Sequence, residues 1–547
     1  MHRAMNLATA LLILLMTSCF PGKKEADLIL TNGKIYTVDA EFSMAEAMAI
    51  RDHKILAVGS TAEIEKNYTS SQIRDLEGAC VYPGWIDAHC HFFGYGMNLN
   101  AVDVAGTASV EEIIVMLKEH QALHPGSWIT GRGWDQNDWE VQEFPDKSML
   151  DAHFPDTPIL LRRIDGHAAW ANSRALKLAG VTAQSKVEGG TVMLSGGEPN
   201  GILVDNAISL VGSIISTPSE EEMKVALLQA QQNCFEVGLT SVQDAGLSYR
   251  VVKLIDSQHK EGSLKIRINA WLSPSEENFT HFVEKGPYQT DHLSVNTVKL
   301  FTDGALGSRG ARMIEPYSDD PGNVGLYVTP LEVLEKQCRR AYENEYAVAT
   351  HCIGDGANRE TLKIYAKILD GKNDRRWRIE HAQIIHPDDF HYFGDYSIIP
   401  SVQTTHATSD MYWAEKRVGA ERMKGAYAYR QLLEQNGWLP NGSDFPVEQI
   451  NPLFGFYAAV VRKDQSAYPA EGFRKEEALS REEALRAMTI WAARACFDEH
   501  LKGSIEPGKL ADLTITTTDL MTAPEEQLFE IKVESTYSGG ELVFSAK

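Results

Sequence analysis

Two periodicities divide this chain. Stretches with apolar residues at every second position predict strands, and longer stretches with apolar residues every third or fourth position predict helices. Positions 26–38, which include DLILTNGKIYTV, read as two strands hinged at Asn32-Gly33, a hairpin signal. Positions 47–59 repeat the pattern around Arg51-Asp52-His53-Lys54, 61–67 read as a helix, and 75–82 as a further strand. Beyond Pro83-Gly84, strand-like segments at 240–245, 297–302, 346–351, 377–381, 398–403 and 439–444 follow helical or loop stretches. The clearest helix, 220–237, carries Met223, Leu227, Ala230 and Cys234 on one face. Such alternation predicts parallel strands covered by helices. Around 109–212 the rhythm breaks into a section rich in Trp, Gly and Pro, read as an insertion roofing one end of the sheet. The segments 503–515, 533–538 and 542–544 are again strand-like and are expected to join the N-terminal strands in one sheet.

Length extends this picture without changing it. The 547 residues suit a (β/α) barrel with an insertion and a satellite domain. A hydrophobic content of 43% with 23% charged residues predicts a folded globular protein. A formal charge of −23 argues against nucleic acid or an anionic membrane surface as partners, because counterion release needs a basic face. The first residues stand apart. Arg3 precedes a short apolar run from Leu7 to Met16, and Leu15-Met16-Thr17-Ser18 leads into Cys19. This resembles a bacterial lipoprotein signal, with 1–18 removed and Cys19 lipidated at the cell envelope; an ordinary cleaved secretory peptide is the alternative. The other six cysteines, at 80, 90, 234, 338, 352 and 496, contain no Cys-x-x-Cys pair and are expected to be buried free thiols.

The candidate chemistry lies at the ends of the predicted strands. In Pro83-Gly84-Trp85-Ile86-Asp87-Ala88-His89-Cys90-His91 the period of two puts His89 and His91 on one face and Cys90 on the other. Two neutral imidazoles so placed are a natural pair of ligands for a divalent metal, although His-x-His alone also occurs by chance on polar strands. Lys299, His351, His381 and Asp444 each lie in or at the end of a later strand segment.

The chain resembles the amidohydrolase superfamily, and within it the amidohydrolase-3 branch of YtcJ-like proteins and N-substituted formamide deformylases. The stretches that carry the likeness are PGWIDAHCH at 83–91, GRGWDQNDW at 131–139, RIDGHAAWANSRAL at 163–176, VKLFTDGALGSRGA at 298–311, ATHCIGDGA at 349–357, RIEHAQ at 378–383 and GSDFPV at 442–447. The resemblance implies a TIM-like (β/α)8 barrel at 83–502, with an insertion at about 105–212 after the first strand, flanked by a β-sandwich from 19–82 and 503–547. It also implies that His89, His91, His351, His381 and Asp444 bind one or two zinc ions, and that Lys299 is a candidate for carboxylation into a bridging ligand.

Each assignment has a structural alternative. Lys299 can be a buried ammonium paired with Asp303 or another acid, and Asp444 can cap a turn. His167, which the likeness turns toward the substrate carbonyl, can be a structural histidine of the insertion. Arg132, Trp134, Asp135 and Trp139 can line a pocket for a small organic molecule, with Asp303 and Arg309 as weaker candidates, or the tryptophans can be the insertion's core. The expected activity is hydrolysis of a carbon–nitrogen bond other than a peptide bond, with Asp444 moving the proton. The alternatives are another hydrolytic reaction on the same barrel, or a lipid-anchored binding protein without catalysis. Homo-oligomerisation is left open.

Overall fold

A computed structural model describes residues 23–546 apart from residue 100, residues 124–127 and residues 216–217; the expected signal segment and Cys19 lie outside the described residues. The core is a TIM-like barrel. Seven parallel strands run in the order Trp85–Cys90, Leu239–Leu247, Arg267–Leu272, Leu293–Phe301, Ala347–Cys352, Arg378–His381 and Ile399–Ser401. Six of them overlap predicted segments, but Arg267–Leu272 was not among them. Arg267 and Asn269 interrupt its apolar character, and both are paired inside the fold: Asn269 donates to Ser294 Oγ at 2.7 Å and to Asn296 at 2.9 Å.

The expected eighth strand at 439–444 does not form a ladder. Among the described residues its regular pairing is limited to an isolated parallel bridge between Val402 and Asn441. Pro440 lacks an N–H, and Asp444 turns into the left-handed region at φ 62°, so regular pairing stops on both sides. The segment still closes the barrel. Gly442 N donates to Val402 at 2.9 Å on one side, while Ala88 N donates to Asn441 and Asp444 N to His89 at 3.3 and 2.7 Å on the other. A Cβ at Gly442 would lie 2.4 Å from His89 N, so only glycine permits this approach. Asp87 fastens the same seam, accepting Ser443 Oγ at 2.6 Å and the backbone N–H groups of Ser443 and His89.

The helix Glu220–Glu236 begins with Ser219 and Glu222 in a reciprocal capping pair, and buries Met223, Leu227, Ala230 and Cys234 against the barrel. The insertion forms its own sheet of six strands, from Val102–Asp103 to Glu198–Asp205 in sequence, around a core of Trp134, Trp139, Trp170, Ile113, Leu117 and Leu161.

Both chain ends build the flanking β-structure. Leu513–Thr516 lies antiparallel to Cys80–Pro83 in a six-stranded sheet, which packs on a four-stranded sheet through Leu30, Ile35, Met48, Ile50, Val81 and Ile515. The hairpin expected at Asn32-Gly33 is not formed. Leu28–Thr31 pairs with Ala47–Arg51 in the smaller sheet, and Lys34–Tyr36 pairs with Cys80–Pro83 in the larger. Asn32, at φ 56°, turns the chain from one layer to the other. The turn chemistry is as read, but Leu28, Ile29, Leu30 and Ile35 are all buried, and more cover is gained between two sheets than in a two-stranded ribbon.

A bidentate pair ties this domain to the barrel. Arg267 of the third barrel strand donates to Asp512 at 2.7 and 2.9 Å, with both side chains at most 5% exposed. The six described cysteines are buried and free. Among the described residues no helix is long and apolar enough to cross a membrane.

Candidate active site

The C-terminal ends of the barrel strands open into a cavity of about 200 Å³, lined by His89, His91, Lys299, His351, His381 and Asp444 together with residues of the insertion. His89 is fully buried. Its Nδ1 meets Glu380 Oε2 at 2.5 Å, and Glu380 is held in turn by Arg378 Nε at 2.6 Å. Burial and the Lys299 charge outweigh Glu380 and bring the His89 imidazole down to about 4, so it is neutral at neutral pH. His91 donates Nδ1–H to the Ala245 carbonyl at 3.2 Å. Both rings therefore direct Nε2 at Asp444, whose Oδ1 lies 3.5 Å from His89 Nε2 and 3.2 Å from His91 Nε2.

Among the described residues Asp444 Oδ1 makes no hydrogen bond with either ring, and buried His381 Nδ1 has no partner. Uncompensated polar atoms of this kind are costly in a protein interior. Among the described residues two groups bring donor atoms within 4.8 Å of one another, His89 with His91 and Asp444, and His381 with His406 and Asp444. Converging imidazole nitrogens, a carboxylate facing them and rings fixed from behind by Glu380 and a carbonyl are what a divalent cation requires. The residues fit a metal. Burial raises the Asp444 carboxyl, but the imidazoles of His89, His406 and His91 around it prevail and hold it well below the usual range. His381 and Asp444 both adopt positive φ, at 72° and 62°, a strain borne at the site itself.

His351 points Nε2 at the Gly304 carbonyl, 3.3 Å away, and packs edge-on against His381. Lys299 is 1% exposed, with Nζ 3.4 Å from His89 Nε2 and 4.7 Å from the centre of the Phe301 ring. Burial lowers its amine to about 8. Among the described residues it forms no ion pair, so the pairing with Asp303 is not what the structure contains.

Several expected pocket residues lie elsewhere. Trp134 is fully buried in the insertion core and donates Nε1–H to the Leu161 carbonyl at 2.8 Å. Strand alternation sends it inward and its neighbour Asp135 to the cavity. Arg132 is committed to the Ile164 carbonyl, and Arg309 to Asp319 at 2.9 Å. Asp303 accepts the N–H groups of Arg312, Ile353 and Gly354 at 2.8 to 3.0 Å and shapes the loops below the cavity. None of these four lines the cavity wall.

The wall instead carries groups that the motifs alone did not single out. Arg163 bridges Asp135 and Asp165 and donates to Gln136 at 2.8 Å. His406, at the start of the helix after the seventh strand, binds Glu448 through Nδ1 at 3.0 Å and faces Asp444 Oδ2 at 3.5 Å. The two carboxylates outweigh burial and raise it to about 10. A histidine just beyond a barrel strand end, in Gln403-Thr404-Thr405-His406, was the only sequence signal for it. His167 was expected at the site and lines the cavity, its ring centre 4.9 Å from that of His351.

Comparison with known proteins accords with this geometry. A profile of the amidohydrolase family matches residues 72–544. The chain belongs to the amidohydrolase family. It is therefore a metal-dependent hydrolase, and the histidine and aspartate cluster is where this amidohydrolase would hold its divalent metal. It is 37% identical to the Arabidopsis thaliana protein LONG AFTER FAR-RED 3, covering 95% of this chain and 92% of that one. It is 32% identical to the putative amidohydrolase YtcJ of Bacillus subtilis, over 94% of this chain and 98% of that one. An N-substituted formamide deformylase of Arthrobacter pascens is 26% identical, over 94% and 98%. Among solved structures, an uncharacterized metal-dependent hydrolase from Pyrococcus horikoshii superposes with a TM-score of 0.75 at 29% identity, covering 91% of this chain and 99% of that one.

Proposed function

We propose that this amidohydrolase cleaves a non-peptide carbon–nitrogen bond in a small N-substituted amide of the formamide type. The observation that carries the reading is the convergence of His89, His91 and His381 on Asp444 at the floor of a compact cavity, with donor atoms left unpaired. The full-length likeness to an N-substituted formamide deformylase supports the choice of bond. His89, His91, His351, His381 and Asp444 would hold one or two zinc ions, with Lys299 able to join as a carbamate because burial favours its neutral amine. When bound, such a metal polarises a carbonyl and lowers the pKa of water to about 7. Asp444 then takes the proton of the attacking water and returns it to the leaving nitrogen. His167 faces the carbonyl oxygen as it gains charge, and the insertion excludes bulk water. A panel of N-substituted formamides, larger amides, esters and lactones, assayed with and without a chelator, tests the reading. Chelator-sensitive turnover of the formamides is expected, whereas turnover confined to esters or lactones would move the chain to another reaction class.

We also propose that Cys19 is lipidated and holds the enzyme at the bacterial cell envelope, on the strength of Leu15-Met16-Thr17-Ser18 before it. Two or more acyl chains give stable attachment. A radiolabelled fatty acid should enter the wild-type protein and not Cys19→Ala; equal labelling of both would defeat the assignment.

A further inference from the structure

Asp205 is the last residue of the insertion strand Glu198–Asp205, at φ 50°, and it takes no part in the functions argued above. It is joined to His167 twice. Its backbone N–H donates to the His167 carbonyl at 2.8 Å, and its Oδ1 meets His167 Nδ1 at 2.6 Å. The Asp205 side chain is 1% exposed, and among the described residues its buried Oδ2 has no hydrogen-bond partner.

The barrel makes room for this carboxylate. In the loop after the fourth strand, a Cβ at Gly304 or Gly310 would lie 2.6 or 2.8 Å from Asp205 Oδ2. The approach thus needs glycine at both points, and the loop closes over the carboxylate and away from water. From the other side, Asp165 Oδ1 accepts the His167 backbone N–H at 2.9 Å, and Arg163 holds Asp165. His167 is gripped at its carbonyl, its N–H and its Nδ1. The ring lines the cavity beside His351 and is 17% exposed, and among the described residues its Nε2 makes no hydrogen bond, so this is the edge left for a bound molecule.

The geometry points to Asp205 as a positioning residue: it fixes the His167 ring so that Nε2 meets the carbonyl oxygen of the substrate in the transition state. An imidazole held by one nitrogen from a buried carboxylate has a single orientation and a defined proton arrangement, whereas a free ring turns about its side-chain torsions. Binding of the ground state needs this alignment little, and the transition state needs it much. The inference rests on the proposed carbonyl chemistry, but the His167–Asp205 bond can be observed without any substrate.

The test compares the metal-loaded wild type with Asp205→Asn, Asp205→Glu, His167→Ala and the double variant His167→Ala/Asp205→Asn, using N-(4-nitrophenyl)formamide or whichever ester probe the wild type hydrolyses. Asp205→Asn is expected to lower kcat about 100-fold with KM within about twofold, as a misplaced catalytic contact does. Asp205→Glu should recover part of the loss, and the double variant should be no slower than His167→Ala, since Asp205 acts only through that ring. Independently, proton NMR of the wild type should show a far-downfield imidazole N–H signal that is absent from both His167→Ala and Asp205→Asn. Unchanged kcat in Asp205→Asn, multiplicative losses in the double variant, or no signal shared by His167 and Asp205 would each overturn the assignment. A wild type inert toward every probe would overturn the carbonyl chemistry, and the NMR signal would still decide the dyad.

Discussion

Asp444→Asn is expected to lower turnover by about 10²- to 10⁴-fold, the range associated with a positioned acid or base. The substitution keeps the size of the side chain and one carbonyl oxygen, so the seam between Asp444 N and the His89 carbonyl stays closed. What it removes is charge and proton affinity. In the wild type the carboxylate sits 3.2 Å from His91 Nε2 and 3.5 Å from His406 Nε2, ionised at neutral pH and able to hold a proton only briefly. An amide accepts no proton there. It is also a weaker ligand than a carboxylate, so metal content by elemental analysis should be measured alongside kcat. Loss of turnover with the metal retained identifies proton transfer; loss of both identifies ligation. Full turnover in the variant would remove Asp444 from the mechanism.

A second large effect is expected far from the cavity. Asp512→Ala should destabilise the fold by roughly 3 to 5 kcal/mol, because it leaves the Arg267 guanidinium buried and unpaired. It also strands the Gly539 N–H, which donates to Asp512 at 2.7 Å. Replacing both partners, as in Arg267→Met/Asp512→Leu, should cost much less, since no isolated charge remains. The pH dependence has a fixed sign. Burial raises the Asp512 carboxyl, but the charge and hydrogen bonds of Arg267 prevail and lower it. A depressed folded value means that the pair stabilises fully above the unfolded pKa of about 3.9 and loses its contribution as pH falls through the folded value. Thermal unfolding should thus separate wild type from Asp512→Ala widely at pH 7 and progressively less below about pH 4. Coincident unfolding at pH 7 would show that the pair contributes nothing.

These two positions also show where a sequence is readable. Asp444 stood out because it closes a strand-like segment beside Gly442 and Ser443, a local pattern. Asp512 did not, because nothing near it in the chain signals Arg267, 245 residues away. The insertion makes the same distinction within one motif. In GRGWDQNDW both the tryptophans and the polar residues were candidates for the pocket. The fold buries Trp134 and Trp139 in the insertion core, and brings Asp135 and Asp138 to the cavity. His406 was passed over because its partners, Glu448 and Asp444, meet it only once the seventh and eighth segments lie side by side.

By itself the sequence determined the barrel's rhythm, the common face of His89 and His91, and the placing of Lys299 within a strand, of His351 and His381 near strand ends and of Asp444 at the end of the eighth segment. Each follows from backbone periodicity, a local property that the chain carries wherever it folds. Tertiary structure decided the rest: that the eighth segment closes the barrel without becoming a strand, that Asn32 turns a corner between sheets, and that Asp205 stands behind His167. Those outcomes depend on which surfaces meet and which polar atoms find partners after burial. That matching is settled between residues hundreds of positions apart, where no local pattern reaches.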